Sequence, residues 1–153
     1  MAIFTTPRYE VAQGVAAIWG LQLGNTTMTD VLQIVSDSGG DLRAVIAGAF
    51  ATSFGAASNA SIAAAFVNNL GITGAPAAGA VEAVTAMLAS STNKSGTLLD
   101  IAKAFGNLST TGAVVAPLVA AFNAKVADAV AYSSTAGTAD VAIGSVSSST
   151  SFE

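Results

Sequence analysis

The 153-residue sequence predicts an all-α protein: a compact bundle of about six to seven short-to-medium helices with a Ser/Thr-rich C-terminal tail. Three observations predict it. Apolar residues recur at three- and four-residue intervals along most of the chain. Gly, Ser, Thr, Asn and Pro punctuate those runs where helices begin and end. No segment alternates strictly between apolar and polar residues, so no strand is expected before the tail.

Thr6-Pro7 is a helix start, with Pro at the first helical position and Glu10 in the first turn. Val11, Val15, Ile18 and Trp19 then mark one face of a helix expected to end near Gly24. Thr29-Asp30 opens a second segment carrying Val31, Leu32, Ile34 and Val35, stopped by Gly39-Gly40. Asp41 caps a third, whose face is Leu42, Val45, Ile46, Ala49 and Phe50 and which ends at Gly55. Ser58 or Asn59 caps the fourth, with Ile62, Phe66 and Leu70 at fourfold spacing and Gly71 as the stop.

Beyond Gly74-Ala-Pro76, Val81, Val84, Met87 and Leu88 mark a fifth helix. Leu98, Ile101, Ala102, Phe105 and Leu108 mark a sixth. The seventh and longest runs from about Thr111 to Tyr132, with Val115, Leu118, Val119, Phe122, Val126 and Val130 on one stripe. Its Pro117 is tolerated only in a first turn, because proline lacks the N–H that an interior position needs. The domain division expected is 1–133, an alanine-rich helical domain, and 134–153, a Ser/Thr/Gly-rich linker or tail with room for a short helical turn at Asp140–Ile143.

Composition narrows function. The chain is 52% hydrophobic, but 34 of those residues are alanine, which leaves 46 larger apolar side chains. Only 9% of residues are charged, while Ser and Thr number 31; a typical domain is about a quarter charged. Net charge is −4 with five scattered basic residues, which gives no footprint for nucleic acid or anionic lipid. Without Cys or His, zinc, haem, iron–sulfur and thiol chemistry are excluded, as are Ser-His-Asp and Cys-His catalysis. Ala44 to Val81 is uncharged but broken by Ser53, Gly55, Asn59, Asn68 and Gly74. Gly112 to Phe122 is 11 residues long and contains Pro117. Neither supplies the roughly 20 apolar residues of a membrane span. The N-terminus carries no basic-then-apolar secretory signal.

Candidate constellations read as structural. Asp30, Asp37 and Asp41 are the densest acidic group, but their spacing is not that of a calcium loop, and caps and a solvated turn explain them. Trp19 and Tyr9 offer an aromatic platform for a sugar, yet Trp19 shares the apolar face of Val15 and Ile18, which favours core packing. Asn68-Asn69 reads as a helix-end signal or a satisfied amide. Gly39-Gly40 lacks the rest of any phosphate-binding motif. The sequons at Asn25, Asn59, Asn93 and Asn107 arise readily in so Ser/Thr-rich a chain. No pair of carboxylates is singled out by spacing, so no catalytic, cofactor-binding or metal-ligating residue is assigned, and the expectation is a non-enzyme.

Three stretches together resemble a known family. Val15-Ala-Ala-Ile-Trp-Gly-Leu-Gln-Leu-Gly24, Phe66-Val-Asn-Asn-Leu-Gly71 with the two helices after it, and Phe122-Asn-Ala-Lys-Val-Ala-Asp-Ala-Val-Ala-Tyr-Ser133 are similar to the N-terminal helical domains of bacterial S-layer and RTX-type secreted cell-surface proteins. The tail, ending Ser-Ser-Ser-Thr-Ser-Phe-Glu153, resembles the lead-in to their calcium-binding repeats. The resemblance implies type I secretion, a place on the bacterial cell surface, and contact with lipopolysaccharide or another glycan. Calcium binding belongs to the repeats, which this sequence lacks, so no cofactor is expected here. Three methionines and no cysteine suit a protein exported in bulk. The reading that results is a structural, self-assembling S-layer-like or filament domain, forming a homo-oligomer or lattice. The alternative is a lipopolysaccharide- or glycan-binding anchoring domain of an RTX-type adhesin.

Overall fold

The structure, a computed structural model, describes residues 7–108 and 115–142. Among them are seven helices: α1 Pro7–Trp19, α2 Asn25–Asp37, α3 Leu42–Phe54, α4 Asn59–Asn69, α5 Ala75–Ala89, α6 Lys94–Gly106 and α7 Val115–Ser133. The fold is an all-α bundle.

α1 is its axis. Every residue from Val11 to Ile18 is buried, Gln13 and Gly14 included, because α7, α4, α6 and α2 all pack on it. A one-faced helix does not describe this element. Alanine and glycine on its other faces let neighbours close in on all sides. A Cβ on Gly14 would lie 2.5 Å from Leu99 Cδ2 of α6. Arg8 at the start of α1 meets Ser133 at the end of α7, so these two helices run antiparallel.

α1 ends at Trp19, not near Gly24. Gly20 turns the chain at φ +66°, and a side chain there would strike the Asn69 carboxamide, 2.7 Å from its Oδ1. Leu21–Gln22 (β1) is therefore extended and pairs antiparallel with Val141–Ala142 (β2), Leu21 opposite Ala142 and Gln22 opposite Val141. This two-residue ladder replaces the helical turn expected around Asp140; Ile143 lies outside the described residues. The two strands are more than a hundred residues apart in the chain, so no local pattern reveals their pairing.

α2 begins at Asn25, four residues before the expected Thr29. Gly24 has no side chain to cap it, and the C-terminal segment does so instead. Gly24 N–H donates to Asp140 Oδ1 at 2.8 Å, and Asn25 N–H to Thr138 Oγ1 at 2.8 Å. The other caps are local. Asp41 accepts from Ala44 N–H, Ser58 from Ser61 N–H, and Asn93 from Gly96 N–H. Pro117 falls in the first turn of α7, where its missing N–H costs nothing. The expected beginning of that helix at Thr111 lies outside the described residues.

The core follows the apolar stripes. Ile46, Phe50, Ile62, Phe66, Leu70, Val84, Leu88, Leu98, Ala102, Phe105, Val119, Phe122 and Val126 are all buried. Phe105 and Phe122 meet edge-on with centroids 5.6 Å apart, fastening α6 to α7. Four expected apolar positions face outward instead. Ile34 is exposed on α2, Ala49 on α3, Met87 on α5, and Leu108 just past α6.

Candidate functional site

The uncharged stretch keeps its larger apolar side chains in the core and turns its small and polar ones outward. Between Arg43 and Glu82 the exposed positions include Ala49, Ser53, Ala60, Ala64, Ala78 and Gly79, presented by α3, α4 and the first half of α5. α4 and α5 form a closely packed hairpin on the flank of the bundle, and α5 otherwise touches α6 only lightly. Of fifteen α5 residues, only Val84 and Leu88 are fully buried. Exposed large apolar side chains are few among the described residues: Ile34, Met87 and Leu108. This surface is small-residue and polar-neutral rather than oily.

Charge collects elsewhere. Glu10, Asp41, Arg43, Asp100 and Lys103 surround a cleft of about 230 Å³ between α1, α3 and α6. Arg43 Nη1 donates to Asp100 Oδ1 at 2.7 Å, and Lys103 Nζ to Glu10 Oε2 at 3.3 Å. These partly exposed pairs tie α6 to its neighbours and are worth about 0–1 kcal/mol each. A more open recess of about 820 Å³ lies where the start of α1 meets the end of α2, lined by Pro7, Leu32, Val35 and Gly40. Its one cation, Arg8, is bound by the Ser133 carbonyl and hydroxyl at 3.1 Å each.

A third groove, of about 310 Å³, runs between the C-terminal half of α3 and the loop entering α6. Phe50, Phe54 and Ile62 line one side and Ser91 to Ser95 the other. Phe54 stacks at a tilt on Phe50, centroids 5.2 Å apart, and on Trp19, 6.2 Å apart.

The sequence-derived candidates do not converge. Asp41 is occupied as the α3 cap, Asp37 accepts from Gln33 Nε2 at 2.9 Å, and Asp30 is exposed on α2. Among the described residues no three acidic side chains are placed to hold a metal ion. Trp19 is half-buried at the edge of the core rather than inside it, and Tyr9 is half-buried further up the same helix. Ten residues of helix, about 15 Å, separate them, so they form no common platform. Burial pushes the Tyr9 phenol up from its ordinary value of 10.0. Asn69 is a satisfied amide, its Nδ2 donating to Ala17 O at 2.9 Å and tying α4 to the end of α1. Asn68 contributes its carbonyl to the turn at Gly71. Gly39-Gly40 ends α2.

Sequence reasoning passed over two features: the groove beside Lys94, and the capping role of Thr138 and Asp140. The aromatic row was hidden because Trp19, Phe50 and Phe54 come from two helices. Asp140 sits in a run that reads as linker.

No single described helix is long and apolar enough to cross a membrane; α3 and α4 reach that length only as a pair, bent by 115° at their junction. No protein-family model, curated protein or solved structure matches the chain.

Proposed function

We propose that this chain is a non-catalytic, self-associating structural domain of a secreted bacterial cell-surface protein, of the S-layer or filament kind. The observation that supports this is the uncharged exterior from Ala44 to Val81. Copies meeting through it bring no like charges into contact and strip no ions of water. Its alanines and glycines lose almost no side-chain entropy when immobilised. They also let helices approach closely enough for Ser, Thr and Asn to bond across the contact.

The size of the face sets the strength. Two helices about 20 Å long and 8–10 Å apart offer roughly 400 Å² per partner. A stable pair needs about 800 Å² per partner. One contact of this kind is therefore weak, and assembly depends on each copy making several at once.

Sedimentation velocity across a wide concentration range tests the proposal. Oligomers should grow with concentration, and the triple variant Ala49→Lys, Ala64→Lys and Ala78→Lys should stay monomeric with its helical circular dichroism unchanged. A wild-type chain that remains monomeric at high concentration, with or without calcium, overturns the reading. Saturable capture of that monomer by outer-membrane vesicles, lost when their polysaccharide is stripped, would support the anchoring alternative.

A further inference from the structure

The groove between α3 and α6 has, at one side of an apolar floor, a positive charge with no acidic partner among the described residues. The floor is Phe50, Phe54 and Ile62, with Ala47, Ala51 and Ala57 as walls. The far rim is Lys94, the first residue of the 13-residue helix α6, whose first turn carries no acid. Both ion pairs found among the described residues use other cations, Arg43 and Lys103. The Arg43 guanidinium also lies against Gly96, but its charge is matched by Asp100, so Lys94 is the cation offered at the start of α6. The positive end of the helix dipole adds to it.

Of the rim hydroxyls, those of Ser91 and Ser95 are already answered, while Thr92 is exposed. Ser91 Oγ and Thr97 Oγ1 share a 2.6 Å hydrogen bond, Ser95 Oγ donates to Asn93 Oδ1 at 3.0 Å, and Asn93 N–H donates to Ser91 Oγ at 3.1 Å. What the rim lacks is a negative charge, and what the floor lacks is an apolar cover.

We propose that the groove binds a linear aliphatic carboxylate. The acyl chain lies on Phe50, Phe54 and Ile62, and the carboxylate meets Lys94 at the start of α6. At about 310 Å³ the groove is at the small end of ligand pockets, which fits a medium-length chain. The inference rests on the chemistry of the groove and is independent of self-association.

The chain supplies its own probe. Trp19 is its only tryptophan, and its ring lies 6.2 Å from Phe54, so occupancy of the groove changes its fluorescence. Decanoate, decanol and decyltrimethylammonium are titrated into the full chain below their micelle concentrations, with calorimetry as a second readout. Decanoate should bind saturably, decanol more weakly, and the ammonium compound not at all. Lys94→Gln should weaken decanoate roughly five-fold, the scale of one partly exposed charge pair, and leave decanol unchanged. Ala51→Glu, at an exposed wall position, should abolish decanoate binding without disturbing the fold. Equal binding of decanoate and decanol, indifference to Lys94→Gln, or no saturable binding of decanoate each overturns the proposal.

Discussion

Asp140 makes two hydrogen bonds that α2 cannot make for itself. Its carboxylate accepts from Gly24 N–H at 2.8 Å and from Thr27 Oγ1 at 3.0 Å. Gly24 is required at this junction by closeness, because a Cβ there would overlap the Thr138 carbonyl oxygen. Asp140→Ala should cost about 1 kcal/mol, the usual worth of an N-cap. Amide exchange should quicken at Gly24, Asn25 and residues 138–142, and stay unchanged in α4 and α5; denaturant midpoints and exchange rates check both. Gly24→Ala should loosen the same residues through backbone overlap, and Asp140→Ala added to it should then cost less than alone. Tyr9 supplies a pH signature. Its phenol is raised by burial, so the folded state holds the proton more tightly than the unfolded chain does. That contribution to stability is complete below about pH 10 and falls as pH climbs through the folded-state value. Tyr9→Phe should flatten the alkaline limb of the stability curve, read by urea unfolding at stepped pH.

At the scale of elements, α1 and its neighbours decide how the domain tolerates change. Ala16 and Ala17 are buried at 1% and 0% exposure, although nothing in their identity separates them from exposed Ala49 or Ala64. Ala17→Leu should overpack the axis and cost about 1–3 kcal/mol. Ala49→Leu should fall within about 0.5 kcal/mol of wild type. Thermal unfolding of the two variants side by side separates a helix buried all round from one buried on a stripe. Phe122 is the other sensitive point, fully buried and edge-on to Phe105. Phe122→Ala should cost about 3–5 kcal/mol, a large part of the stability of a domain whose core holds so few large side chains.

For the whole molecule, charge distribution outweighs charge number. The opposite charges at the α1–α3–α6 cleft pair with one another, while α3, α4 and the first half of α5 present none between Arg43 and Glu82. Association through that face should therefore change little with added salt, because screening has no charges there to act on. Sedimentation at low and at near-molar salt checks this; strong weakening by salt would place the contact at the charged cleft instead. The described part of the tail segment, residues 134–142, packs on the body of the molecule. Residues 134–142 are held by the β1–β2 ladder, by the α2 caps, and by Tyr132 Oη donating to Ala139 O at 2.6 Å.

Local sequence was enough for the class of fold, for most helix spans and for the caps at Asp41 and Ser58. Helical periodicity and capping act over three or four residues, so both are written where they operate. The end of α1 at Gly20, the early start of α2 and the strand at Val141–Ala142 were not legible, because each depends on a partner distant in the chain. Alanine posed the same difficulty for burial. With so small a side chain at so many positions, the sequence does not distinguish an alanine at a helix crossing from one facing water. Of the candidate sites, the uncharged stretch could be read directly, but whether it formed core or exterior depended on which helices wrap α1. The groove beside Lys94 depended on tertiary structure altogether, since α3 brings the aromatic floor and α6 the charge. Chain periodicity determined the elements; only packing determined which of their faces were left for a partner.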